Sequence, residues 1–186
     1  FLASECMFFG ALIATYLVMR GRSLDGPCPG DTILPDGTLC EGILSIPVTS
    51  VSTFALLASS MAMVLAYSSL TRGNIRGFRI WILCTALLGA TFLGFQVFEF
   101  REFVEAGLTP RTSVFGSSFF VLTGFHGAHV TVGVIWLLSL FGYSVFRGGV
   151  TPEKSLNVDM AALYWHFVDI VWIVIFTVVY LLGVAV

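Results

Sequence analysis

Seven ionisable or amide side chains stand inside long apolar runs of this chain: Glu5, Gln96, Glu99, His126, His129, His166 and Asp169. These are residue types that hold protons, ligate metals or hydrogen-bond, and in lipid each costs several kcal/mol unless it faces protein or water. Six of them fall into pairs three residues apart, Gln96 with Glu99, His126 with His129, and His166 with Asp169, so each pair shares a helix face. The spacing of His126 and His129 suits a metal, but helical di-iron sites need a Glu three residues before a His, twice. The chain has no Glu-x-x-His and no Cys-x-x-Cys-His for attached haem. No continuous run of polar residues crosses any one segment, so the chain alone offers no proton path. Hydrogen bonding between helices is the reading these pairs support. It assigns the chain no catalytic residue and no metal ligand.

The elements that hold these residues follow from composition. Of 186 residues, 57% are hydrophobic and 11% charged, with a mean hydropathy of +0.95, whereas a soluble domain has about a quarter of its residues charged. The surplus apolar surface must face lipid. Crossing a hydrocarbon core of ~30 Å takes ~20 apolar residues, and five segments reach that length, roughly 1–19, 46–70, 78–100, 114–146 and 156–186. Runs this long are helices, because barrel strands are about half as long and alternate. The expected fold is an all-α polytopic membrane bundle in a single domain, residues 1–186. At a rise of ~1.5 Å per residue, His126 and His129 lie about halfway along the fourth helix, and His166 and Asp169 about halfway along the fifth. One polar layer, held by His–carboxylate hydrogen bonds, is expected there, with Glu99 nearer a helix end.

The connections set the orientation. Residues 71–77 with Arg79 at the following helix start carry three arginines in a short span, a density that places this connection inside. The first connection, 21–45, holds Cys28 and Cys40. A disulfide between them requires the oxidising side and would add roughly 3 kcal/mol by loop closure; the alternative is two loop thiols. Both signals put the chain start inside and its end outside. Cys6 and Cys84 lie in apolar helix and read as inert packing residues. The basic residues form no patch, which excludes nucleic acid as a partner. The chain opens on Phe1 rather than Met and has no signal-peptide pattern, so its start reads as an internal or processed position. Gly10 with Ala14, and Gly124 with Ala128, are small residues four apart of the kind that permit close helix approach. Phe8, Phe9, Phe92, Phe95, Phe98, Phe119 and Phe120 read as filling lipid-facing or interhelical surface.

Four strings carry more than periodicity. They are Phe1-Leu2-Ala3-Ser4-Glu5-Cys6-Met7-Phe8-Phe9, Gln96-Val97-Phe98-Glu99-Phe100, the stretch from Gly116 through Gly124-Phe125-His126-Gly127-Ala128-His129-Val130, and Tyr164-Trp165-His166-Phe167-Val168-Asp169-Ile170-Val171-Trp172. In this order, over nearly the whole chain, they resemble cytochrome c oxidase subunit III, with the quinol oxidase subunit as a close relative. The resemblance implies an accessory subunit of a proton-pumping haem-copper terminal oxidase, packed on subunit I beside subunit II in a prokaryotic cell membrane. It implies no redox centre here, with haem and copper in partner subunits. It also implies a bound phospholipid, support of sustained turnover and proton uptake, and a carbodiimide-reactive carboxyl at Glu5. Phe100 stands where the family usually has Tyr, Ala128 where Leu is common, and the loop with Cys28 and Cys40 is longer than expected. The seven-helix form of the family has two helices before the one that carries Glu5, and its lipid cleft lies between that pair and the rest. The other readings are the same role in a quinol oxidase or a nitric-oxide-reducing relative, a haem-binding electron-transfer protein, and a transporter.

Overall fold

Helices that end in lipid-facing protein must close their own backbone groups, and the local sequence does this at each described corner. The computed structural model describes residues 1–20, 32–33, 39–40, 46–105, 107–111, 114–146 and 155–181. They form α1 (Leu2–Arg20), β1 (Thr32–Ile33), β2 (Leu39–Cys40), α2 (Ile46–Thr71), α3 (Ile75–Glu105), α4 (Val114–Phe146) and α5 (Leu156–Phe176), which runs on into a π-helical turn, Thr177–Leu181. The five α-helices are long and apolar enough to cross a membrane, and the fold class is the expected one. Within the first connection, β1 and β2 pair antiparallel, Thr32 opposite Cys40 and Ile33 opposite Leu39. Cys28, and with it the expected disulfide to Cys40, lies outside the described residues.

Helix α3 departs most from the sequence reading, starting at Ile75 rather than 78 and ending at Glu105 rather than 100. The early start comes from the corner before it. Gly73 has φ +76°, a conformation that glycine adopts without a Cβ penalty. Its N–H donates to the Leu70 carbonyl and that of Asn74 to the Ser69 carbonyl, each at 2.9 Å, a Schellman closure of α2. Asn74 then caps α3: its Oδ1 accepts from the Gly77 N–H at 3.0 Å. Asn74→Ala should cost about 1 kcal/mol, read as a lower unfolding midpoint in detergent; an unchanged midpoint would show that the cap contributes nothing. At the far end the same device recurs at Gly107, φ +90°, with Leu108 N–H to the Phe103 carbonyl at 2.9 Å. Leu108 and Phe103 are both buried there, as the motif's apolar contact requires.

The packing resolves into two units. The first comprises Phe1–Ser50, Phe95–His126 and Val171–Val186. Its core includes Phe9, Tyr16, Phe103, Phe119, Trp172 and Tyr180. Phe119 meets Phe103 edge-on at 5.4 Å between centroids, and Phe120 meets Phe100 at 5.1 Å.

The second unit comprises Val51–Gly94 and Gly127–Ile170, and its core turns on Trp165, 1% exposed. The indole N–H donates to Ser59 Oγ on α2 at 2.9 Å. A Cβ added at Gly89 on α3 would lie 2.5 Å from Trp165 Cη2, and one at Gly133 on α4 would lie 2.8 Å from Cζ3. The ring therefore occupies the space two glycines leave open, and one α5 side chain keys three other helices. The sequence reading placed small-residue approaches at Gly10 and Gly124, but a Cβ at either would meet nothing within 4 Å. Close approach needs a large partner to fill the gap, and that partner is Trp165. Of the two cysteines read as packing residues, Cys6 is exposed and Cys84 partly so; Cys6 lies on the outward face of α1.

Candidate functional site

The intramembrane polar residues sort by unit, and each unit must be built from what its own helices supply. In the first unit, α3 carries Gln96 and Glu99 three residues apart on a buried face. The Gln96 amide donates to the Thr123 carbonyl of α4 at 2.8 Å. Thr49, in the first turn of α2 and fully buried, donates its hydroxyl to the Glu99 carboxylate. Thr49 also shares a hydrogen bond with the Tyr180 hydroxyl, and Tyr16 and Glu99 lie within electrostatic reach of that phenol. The result is a cluster of one carboxyl and three hydroxyls drawn from α1, α2, α3 and the π-helical turn, all 2% exposed or less. Such a cluster can hold a proton and fix four segments in one register.

His126 belongs to the same unit. It is fully buried, stacks on Trp172 with ring centroids 4.8 Å apart, and faces the edge of Phe9 at 6.5 Å. An aromatic setting of this kind holds the imidazole as a packing element. Glu5, on α1 of this unit, is half-buried.

In the second unit, Ser60 of α2 sits against both members of the α5 pair. Its hydroxyl donates to the Asp169 carboxylate, with His166 close enough to act on that carboxylate electrostatically. His166 Nδ1 lies 3.3 Å from Ser60 Oγ. Asp169 is 6% exposed. The backbone carbonyl of His129 accepts from the Tyr164 hydroxyl at 3.0 Å. The polar layer expected of four residues is thus apportioned: His166 and Asp169 come together around Ser60, whereas His126 has its described ring contacts with Phe9 and Trp172. Hydroxyls hold both buried carboxylates, Thr49 on Glu99 and Ser60 on Asp169. Among the described residues no group of three His, Cys, Asp or Glu is placed to hold a metal ion.

Arg79 lies near the start of α3, where the sequence placed it, and its Nε donates to Ser144 Oγ on α4 at 3.0 Å while its Nη donates to the Ser144 carbonyl. A cation on the carbonyls of a helix's last turns is favourable, and it satisfies a polar end that lipid cannot. Thr49, Tyr16, Tyr180, Ser60 and Arg79 were all missed as partners. Their signal was there in kind, since hydroxyls and an arginine inside apolar runs need interhelical partners, but which helix supplies each partner is a tertiary fact.

This arrangement of five spans, with a Glu in α1, Gln96 and Glu99 in α3, His126 and His129 in α4, and His166 and Asp169 in α5, matches the family profile described as Cytochrome c oxidase subunit III over residues 1–184. The chain belongs to the cytochrome c oxidase subunit III family. Relatives within it include the quinol oxidase subunit 3 of Bacillus subtilis, 39% identical over 183 residues, covering 98% of this chain and 84% of the relative. The cytochrome c oxidase subunit 3 of Bacillus sp. PS3 is 38% identical over 183 residues, covering 98% and 83%. The cytochrome bo(3) ubiquinol oxidase subunit 3 of Pseudomonas putida is 37% identical over 184 residues, covering 99% and 83%. As a subunit III of this family, the chain is an integral membrane component of a respiratory oxidase. The four strings that carried the resemblance contain the polar positions described above.

Proposed function

We propose that this chain is the accessory, non-catalytic subunit of a proton-pumping haem-copper terminal oxidase, seated directly on subunit I in the company of subunit II, in a prokaryotic cell membrane. Haem and copper belong to the partner subunits, and this chain contributes shape, bound phospholipid and support of proton uptake. The observation that carries the reading is that three buried polar side chains go to helix–helix hydrogen bonds: Glu99 to Thr49, Gln96 to the Thr123 carbonyl, Asp169 to Ser60. A subunit that reacts with substrate would hold such groups at an accessible centre. The dense arginines of the corner between α2 and α3 favour that corner inside, with the chain start inside and its end outside. The electron donor is set by partner subunits, and the relatives divide between cytochrome c and quinol oxidases.

The test is purification in gentle detergent through a tag on this chain, with an optical spectrum and identification of the co-purifying subunits. Subunit I should accompany it, and the haem bands should leave when this chain is isolated in harsher detergent. Haem retained by the isolated chain would overturn the reading and make His126, His129 and His166 ligand candidates.

A supporting role predicts a particular kinetic defect. His126→Ala removes a fully buried ring stacked on Trp172, loosening the fold without touching a redox centre. Turnover in the assembled oxidase should begin near the normal rate and decay sooner, with Glu5→Ala acting in the same direction. Time courses that show an equal loss of initial rate and of lifetime would count against the role.

A further inference from the structure

Five exposed hydroxyls on the spans, those of Thr15, Thr91, Thr131, Ser139 and Thr177, turn back to a carbonyl of their own helix at 2.6–2.9 Å. A hydroxyl satisfied this way asks nothing of its surroundings. An imidazole acceptor has no such recourse, because the backbone N–H groups within a helix are already given to the carbonyls four residues back. It needs a donor from outside its own helix.

Ser60 decides which nitrogen of His166 is that acceptor. A hydroxyl has one proton to donate, and Ser60 donates it to the Asp169 carboxylate. Toward His166 Nδ1, 3.3 Å away, Ser60 Oγ is therefore the acceptor, and Nδ1 carries the N–H. The lone pair of the neutral ring then lies on Nε2. That atom has no hydrogen-bond partner among the described residues and reaches the surface of the half-buried ring. Leu163, three residues before, and Ile170, four after, share its helix face and are 55% and 60% exposed. His166 stands ~15 Å along α5 from Leu156, about half the ~30 Å hydrocarbon thickness, a depth at which lipid has no N–H or O–H to offer.

We propose that this face of α5, Met160, Leu163, His166 and Ile170, docks a transmembrane helix of a partner oxidase subunit that brings a hydrogen-bond donor to His166 Nε2. The inference rests on the reading of the chain as a subunit seated in an oxidase. Apolar side chains alone fix no depth, since lipid tails are as apolar as leucine; one hydrogen bond at mid-span fixes where the partner helix sits along α5. Ser60 and Asp169 are positioning residues, which hold the ring with its acceptor outward. A carboxylate across from Nε2 would oppose lone pair to lone pair.

The test uses the assembled oxidase. A photoreactive side chain in place of Leu163 or of Ile170 should crosslink to a polypeptide, and mass spectrometry should place the link in an apolar segment with a donor side chain within one turn. Asparagine and glutamine separate the two ring nitrogens. His166→Asn keeps an amide donor near the Nδ1 position and has nothing at Nε2, whereas His166→Gln extends its amide to the Nε2 position. His166→Asn should release this chain from the complex about threefold faster in a detergent wash, the size of one interhelical hydrogen bond in lipid, and His166→Gln should stay near the native rate. Links to lipid alone from both positions, a linked segment whose only polar side chain is Asp or Glu, or the same release rate in both variants would overturn the proposal. None of these results removes subunit I from the native complex, whose absence is the separate failure of the accessory role.

Discussion

Gly89→Ala should destabilise the fold by about 1–3 kcal/mol, the usual cost of overpacking a filled core, and Trp165→Phe in the same chain should recover most of that loss. The added methyl would sit 2.5 Å from Trp165 Cη2 and 2.8 Å from Cζ2, two atoms that a phenyl ring lacks. Trp165 cannot simply swing away, because its N–H is held by Ser59 at 2.9 Å and the opposite edge of its ring lies against Gly133. Trp165→Phe alone also carries a cost, since it gives up that hydrogen bond and leaves a cavity. The informative quantity is therefore the coupling between the two changes. Gly94→Ala is the control on the same helix: a Cβ there meets nothing within 4 Å, and alanine's higher helix propensity should leave stability equal or slightly raised. Heat-induced loss of tertiary fluorescence in detergent micelles reads all four chains. Equal losses from Gly89→Ala in the Trp165 and Phe backgrounds would show that the ring is not what fills the gap.

Glu99→Leu should cost about 1–3 kcal/mol, the penalty for stranding buried hydroxyls. The Thr49 donor would lose its acceptor, and the Tyr180 hydroxyl that shares Thr49 would lose its fixed neighbour. Glu99→Gln, which keeps an oxygen to accept from Thr49, should cost less. Replacing both partners, Glu99→Leu with Thr49→Val, should cost less than the sum of the single changes, because no donor is then left searching in an apolar interior. Measured couplings of this kind inside membranes average about 0.6 kcal/mol and reach about 1.7, which is the range expected for the Thr49–Glu99 cycle. Strictly additive losses would mean that this hydrogen bond contributes nothing to the fold.

What could be read from the sequence divides along physical lines. Spans were legible because the apolar length needed to cross a bilayer is fixed by its thickness, and α2 and α4 start where expected, at Ile46 and Val114. The two ends of α3 were misjudged for a reason. Arg76, Arg101, Glu102 and Glu105 are charged, so hydropathy stopped short of them, while backbone closure at Gly73 and Gly107 carried the helix on. The polar residues of the candidate site were legible one by one, since each is costly in lipid. Their partners were not, because pairing depends on which helices become neighbours. Glu99 needed Thr49, in the first turn of α2 and 50 residues earlier in the chain, and Asp169 needed Ser60 from α2. The small-residue signal named Gly10 and Gly124, where a Cβ would meet nothing within 4 Å, and passed over Gly89 and Gly133, which lie against Trp165, because a glycine makes close approach possible but only an adjacent bulky side chain makes use of it.

The corner between α2 and α3 has a mechanical consequence. Gly73, Asn74 and the carbonyls of Ser69 and Leu70 satisfy one another within a few residues, so the connection has no slack. Helices meet a change in bilayer thickness by tilting, and a loose loop lets neighbours do so separately. Here the end of α2 and the start of α3 must tilt as a pair. A thinner or thicker membrane would accordingly be felt by this subunit as a rotation of that two-helix end, not as an independent adjustment of each helix.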